Sequence, residues 1–116
     1  MKITESLKNN NDFKEVYHIG KSYANKYLIM YVKRNNGDSN RLGISVSKKV
    51  GNSVVRHRVK RLIMEGYRLS EDSLCRGLDI IVVARNNAKD KKFEEIESAL
   101  LHLIKLHKIW KVTSII

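Results

Sequence analysis

The sequence predicts an α+β sandwich, in which a small mixed sheet carries helices, and three observations predict it. Apolar residues recur at helical spacing over residues 53–69 and again over 91–109. Between them, LDIIVVA at residues 78–84 is a nearly continuous apolar run of strand length, as expected for a strand covered on both faces. Two further segments, 26–34 and 41–47, alternate with the period of two that marks strands. The predicted order is α-β-β-α-β-α, with room for one more short strand. At 116 residues and 42% hydrophobic content the chain is long enough for one modest core. No repeat, linker or proline divides it, so residues 1–116 read as one domain.

The elements follow in order. NNNDF at residues 9–13 reads as a helix start, with asparagine side chains to accept from the first free amides. That helix carries Phe13, Val16 and Tyr17 and stops near Gly20, a candidate left-handed cap. In the strand at 26–34, Tyr27, Ile29 and Tyr31 share one face, and Leu28, Met30 and Val32 the other. NNGDSN at 35–40 contains Asn-Gly and Gly-Asp, hairpin punctuation that predicts pairing of this strand with RLGISVS at 41–47. There Leu42, Ile44 and Val46 are apolar on one side, while Gly43, Ser45 and Ser47 form a low floor on the other. The final helix, about Lys91 to Ile109, has Asp90 as a candidate cap and a stripe of Phe93, Ile96, Leu100, Leu103, Ile104 and His107. The tail WKVTSII is left unassigned.

Charge narrows the function. There are 23 Lys and Arg against 12 acids, a formal net charge of +11, which predicts attraction to a polyanion, nucleic acid before an anionic membrane. No membrane role is expected: the longest apolar run, YLIMYV, is far short of the ~20 residues that span a bilayer. The N-terminus lacks an apolar signal core. The single Cys75 has no internal disulfide partner, which fits a reducing cytoplasm, and it reads as a small buried or half-buried residue.

The positive charge is concentrated. From Lys48 to Arg68, seven Lys or Arg stand against one acid, Glu65, in 21 residues. On the helix at about 53–69, Val55, Val59, Leu62, Ile63 and Gly66 fall within an arc of roughly 100°, with Tyr67 at its edge. That stripe anchors the helix on the sheet, and nearly everything outside it is cationic or His57. Ordinary solvated faces mix both signs, because like-charge i, i+4 pairs such as Arg56–Lys60 destabilise a helix. A face that accepts this repeatedly is expected to meet an anion. KKVGNS places Lys48, Lys49, Gly51 and Asn52 directly ahead of the helix, where free amides and the positive end of the helix dipole suit phosphate.

No protein-borne catalytic constellation accompanies these cations. Asp12 and Glu15 lie one turn apart, a spacing common on surface helices. His102 and His107 are five apart and do not share a ligand face, His18 stands alone, and no nucleotide-binding Gly-Lys-Ser/Thr loop occurs. The residues by themselves leave three functions open: a subunit that grips RNA for another catalyst, a ribosomal or other structured-RNA-binding protein without a role in tRNA processing, and a free-standing metal nuclease.

The segment SVSKKVGNSVVRHRVKRLIMEGYR closely resembles the signature of the bacterial ribonuclease P protein component. That signature runs through a Lys-x-Gly-Asn turn, Arg-Asn-Arg, Lys-Arg, a further Arg or Lys and a final Phe-Arg. The similarity extends, in order, to NDFKEVYHIGKS, LDIIVVAR and EEIESALLHLIK. Two positions depart from it. His57 stands in place of asparagine and can still donate a hydrogen bond. Met64 stands in place of a cation, so one phosphate contact is missing or is supplied by Arg68 or another neighbour. The resemblance implies a left-handed β-α-β crossover placing the basic helix between strands 41–47 and 78–84, against the usual right-handed preference. It also implies a non-catalytic protein subunit of an endoribonuclease. The chain would bind the catalytic RNA of ribonuclease P and the 5′ leader of precursor tRNA, while the RNA with Mg²⁺ performs the hydrolysis. Contacts to the RNA fall on Lys48, Lys49, Gly51, Asn52, Arg56, His57, Arg58, Lys60, Arg61 and Arg68. The leader cleft falls on Phe13, Tyr17 and Tyr31, to which the low floor adds Ser45 and Ser47. Whether the protein itself holds a metal is left open.

Overall fold

The apolar run at residues 78–84 becomes the middle strand of a five-stranded sheet, buried along almost its whole length because helices cover both faces. In the computed structural model, which describes residues 4–111, the elements are β1 (Thr4–Ser6), α1 (Asn10–Ile19), β2 (Lys21–Ala24), β3 (Leu28–Arg34), β4 (Asn40–Ser45), α2 (Ser53–Ser70), β5 (Leu78–Ala84) and α3 (Phe93–His107). Spatial order in the sheet is β1-β4-β5-β3-β2. β1 and β5 lie parallel to β4, while β3 is antiparallel to β5 and β2 is antiparallel to β3. The crossover β4-α2-β5 therefore joins neighbouring parallel strands, with the basic helix between them in sequence as expected.

Strand alternation divides the core in two. Leu28, Met30, Leu42, Ile80 and Val82 point to one face, where Val59, Ile63 and Tyr67 of α2 and Ile96, Leu100, Leu103 and Ile104 of α3 close over them. Ile81 points to the other face and packs with Leu7 and with Val16 of α1, flanked by the half-buried Phe13, Tyr31 and Val83. The α2 stripe read from the sequence is the one buried: Val59, Ile63, Gly66 and Tyr67 are inside, and Val55 and Leu62 half inside. Among the described residues no helix is long and apolar enough to cross a membrane.

Several expectations need correction. The segments 26–34 and 41–47 are not a hairpin, because β5 inserts between them and pairs with both. The 35–39 loop crosses over the start of β5 instead: the Asn35 amide donates to the Gly77 carbonyl at 2.9 Å, and its side chain donates to Asp79 at 2.9 Å. Gly77 adopts φ +82, and a Cβ there would lie 2.6 Å from the Gly37 carbonyl oxygen, so glycine permits this crossing. Two short strands, β1 and β2, join the sheet at its edges. β3 begins at Leu28, and Tyr27 packs with the α2/α3 core rather than beside Tyr31. β4 ends at Ser45, which leaves Val46 and Ser47 beyond the strand. Asn9 caps α1 as expected, accepting from the Asn11 amide at 2.8 Å. Gly20, however, is extended (φ −65, ψ 150) and not left-handed; a Cβ there would lie 2.4 Å from the Val16 carbonyl oxygen, so close approach selects glycine. The N-cap of α3 is Lys92, whose amide donates to the Glu95 carboxylate, and not Asp90. The tail from residue 112 lies outside the described residues; ahead of it, Trp110 bridges to Leu74. Cys75 is half-buried and free, its thiol 3.4 Å from the Trp110 carbonyl.

Candidate nucleic-acid interface

On the α1 face, helical spacing puts Phe13 and Tyr17 one turn apart, and both rings lean toward the sheet. Their centroids are 6.2 Å apart, and Tyr17 meets Tyr31 of β3 edge-on at 4.8 Å. The three rings thus form one row between helix and sheet. Tyr17 is 39% exposed, so an aromatic surface remains available to a partner. Its hydroxyl is hydrogen-bonded to Ser45, and partial burial pushes its pKa up. Phe13 does double duty: it packs into the small core and wets one edge. The low floor is real at Gly43 but is already occupied, since a Cβ there would lie 2.5 Å from the Phe13 ring. Ser47 is exposed, two residues beyond the end of β4.

An ion-pair cluster fixes α1 over the sheet. Arg41 of β4 places Nε 2.8 Å and an Nη 2.6 Å from the two carboxylate oxygens of Asp79, and its other Nη 3.1 Å from Asp12 of α1. Asp79 is 1% exposed. Burial alone would raise its pKa, but the hydrogen bonds from Arg41 and Asn35 prevail and hold it below the usual carboxylate range. Arg41 is correspondingly held cationic. No sequence pattern pointed to this cluster, because Asp12, Arg41 and Asp79 come from three separate elements.

The basic helix lies across the opposite face. Asn52 caps it, its side chain accepting from the Val55 amide at 3.0 Å, which leaves the Ser53 and Val54 amides without a protein acceptor among the described residues. Gly51 lets the turn sit against Val55, where a Cβ would lie 2.7 Å from a methyl group. Lys48, Lys49, His57, Lys60 and Arg61 are exposed. Among the described residues no carboxylate pairs with any of these or with Arg56 and Arg58. Arg58 is partly committed, donating to the Lys91 carbonyl at 2.9 Å. Arg56 keeps Nε buried without a partner. Arg68 differs from the rest: it grips Glu65 through two hydrogen bonds, 3.1 and 2.5 Å, so the one acid of the segment neutralises it. That pairing weakens Arg68 as a substitute for the cation absent at Met64.

Comparison with known proteins follows the same lines. A model of the family described as Ribonuclease P matches residues 1–108. The ribonuclease P protein component of Lachnoclostridium phytofermentans is 63% identical over 107 residues, covering 92% of each chain. That of Alkaliphilus metalliredigens is 54% identical over 109 residues, covering 94% of this chain and 98% of the other. The solved Staphylococcus aureus RNase P protein superposes with a TM-score of 0.85 at 40% identity, over 91% of this chain and 97% of its own. The Thermotoga maritima protein gives 0.80 at 31%, over 88% and 96%. The basic helix and the sheet it crosses are therefore those of a bacterial tRNA-processing component, and the chain belongs to the ribonuclease P protein family.

Proposed function

We propose that this chain grips the catalytic RNA of ribonuclease P with α2 and its Gly51–Asn52 turn, and holds the single-stranded 5′ leader of precursor tRNA along Phe13, Tyr17 and Tyr31. One observation carries the reading: the unpaired cations and the aromatic row occupy opposite faces of one sheet. A single small protein can thereby touch a folded RNA and an unpaired strand at once. Cations neutralise crowded RNA phosphates and lower the salt the ribozyme needs to fold. Aromatic faces stack on unpaired bases with little sequence preference, which suits leaders of varied sequence. Because mature tRNA has no leader, the second contact favours precursor over product.

In this reading the RNA performs the hydrolysis, using Mg²⁺ that it binds itself. The described residues offer no cluster of three His, Cys, Asp or Glu ligands for a resident Mg²⁺, and the carboxylates of Asp12 and Asp79 are already held by Arg41. The protein's part is to bind and orient.

The test uses holoenzyme reconstituted with ribonuclease P RNA at low Mg²⁺. Tyr17→Ala and Tyr31→Ala should each weaken binding of leader-bearing tRNA by about 1–3 kcal/mol and leave leaderless tRNA unaffected. Unchanged preference for the precursor in both variants would remove the aromatic row from the account.

A further inference from the structure

At the sheet edge the two surfaces meet. β1 pairs with β4 only as far as Leu42, and β4 runs on through Ser45, so among the described residues its outer edge beyond Leu42 has no strand beside it. A notch of about 320 Å³ opens there. Phe13 walls it from the cleft side, Ile44 from the β4 edge on the α2 face, Met64 and Lys60 from α2 itself, and Lys8 from the segment after β1. Its size is at the lower end for ligand sites, about that of one nucleotide. Its lining is mixed: Phe13, Ile44 and Met64 supply apolar surface, while Lys8 and Lys60 also line it and have no carboxylate partner among the described residues. Met64 is 37% exposed, and of the apolar side chains that α2 exposes, Val54, Met64 and Leu69, it is the one that lines the notch.

We infer that this notch is a one-nucleotide subsite for the precursor strand, continuing the aromatic row around the sheet edge toward α2. The inference rests on the proposed leader-binding role of that row. Phe13 supplies the continuity, since the same ring ends the row and walls the notch. The base packs on Phe13, Ile44 and Met64, and its phosphate lies between Lys8 and Lys60. Met64, at a position where the family signature has a cation, thereby exchanges a phosphate contact for a base contact. A polyanion alone would need no apolar wall, and an apolar ligand would need no paired lysines; an unpaired nucleotide uses both.

The experiment measures binding of reconstituted holoenzyme to precursor tRNAs carrying one abasic nucleotide at successive leader positions. Met64→Ala should weaken binding of the intact leader roughly fivefold. At one leader position it should add nothing to the abasic loss, because both changes remove the same contact. Lys8→Gln should weaken leader-bearing tRNA several-fold and leaderless tRNA not at all. Both side chains are at the surface, so folding is preserved. Tyr17→Ala in the same series is the reference and should couple at a different position. Additive losses for Met64→Ala at every position, with Tyr17→Ala still coupled, overturn the subsite alone. Failure of both to couple overturns the leader-binding reading with it. Equal losses on leaderless tRNA assign the notch to the ribozyme and overturn the inference.

Discussion

The two faces of the sheet are packed to different degrees. Beneath α2 and α3, strand side chains from Leu28 to Val82 and helix side chains from Val59 to Ile104 are sealed from water. Beneath α1, the fully buried apolar side chains among the described residues are Leu7, Val16 and Ile81, and the aromatic side chains around them stay half open. The first face holds the fold together. The second holds a helix with little apolar burial, and so relies on the Arg41 cluster to place it. The lesson is that rings kept accessible for a partner cannot also seal a core, and a polar latch makes up part of the difference.

That contrast is open to attack at the latch first. Arg41→Ala strands the buried Asp79 carboxylate with Asn35 as its remaining side-chain partner and should cost about 3 kcal/mol of unfolding free energy in a urea titration. Asp12→Asn breaks only the half-exposed arm, with both side chains 31% exposed, and should cost below about 1 kcal/mol. Equal costs would mean that the buried arm is not what anchors the cluster.

Two glycines extend the comparison. Gly43→Ala drives a methyl group into the Phe13 ring, which must move, at a cost of about 1–3 kcal/mol. Precursor preference should fall with it, because the displaced ring belongs to the row. Gly66→Ala on the other face brings a methyl group 3.2 Å from the flexible end of Leu100. Helix propensity there favours alanine by up to about 1 kcal/mol, so stability should change little and RNA binding not at all. Thermal unfolding with paired binding assays reads both. A Gly43→Ala protein with intact leader preference would separate Phe13 from recognition.

These residues also mark how far the sequence could be read. The α2 stripe was legible because Val59, Ile63, Gly66 and Tyr67 repeat at helical spacing, and β5 because its apolar run needs cover on both faces. The aromatic row was reached through resemblance, and the structure then brought Phe13, Tyr17 and Tyr31 together. Strand pairing was not legible. Asn35–Gly37 carries local hairpin chemistry, yet β5, more than 30 residues on, takes the place between β3 and β4, and nothing local encodes that preference. The three-residue β1 and four-residue β2 are too short to show a period. The Arg41 latch was invisible for a related reason: its members share no sequence neighbourhood, only a sheet face.

Salt separates the faces in solution. Arg61 is exposed without a carboxylate partner among the described residues, so Arg61→Ala should lower the slope of log affinity for ribonuclease P RNA against log salt by about one. Tyr31→Ala should leave that slope unchanged while still reducing leader binding. Matching slopes for the two variants would erase the division of labour between charge and stacking.

The smallest expected effect lies in the well-packed face. His107 of α3 places Nε2 2.8 Å from the Met30 carbonyl oxygen, and because a carbonyl only accepts, Nε2 carries the proton. The ring also meets Tyr23 edge-on at 4.7 Å. Burial, with a smaller push from Lys21, lowers the His107 pKa, and the Met30 hydrogen bond does not reverse it. The folded protein therefore binds this proton less tightly than the unfolded chain, where histidine titrates at about 6.5. Stability from this site is complete above that value and is lost as pH falls through it toward the folded pKa. Carboxylates add their own acid dependence, so the informative quantity is the difference between wild type and His107→Gln. That difference in urea midpoint should be steady above pH 7 and should shift in favour of the variant from pH 6.5 downward. A constant difference across the range would mean that His107 titrates alike in both states, and that this face is no drier at its α3 end than the aromatic face opposite.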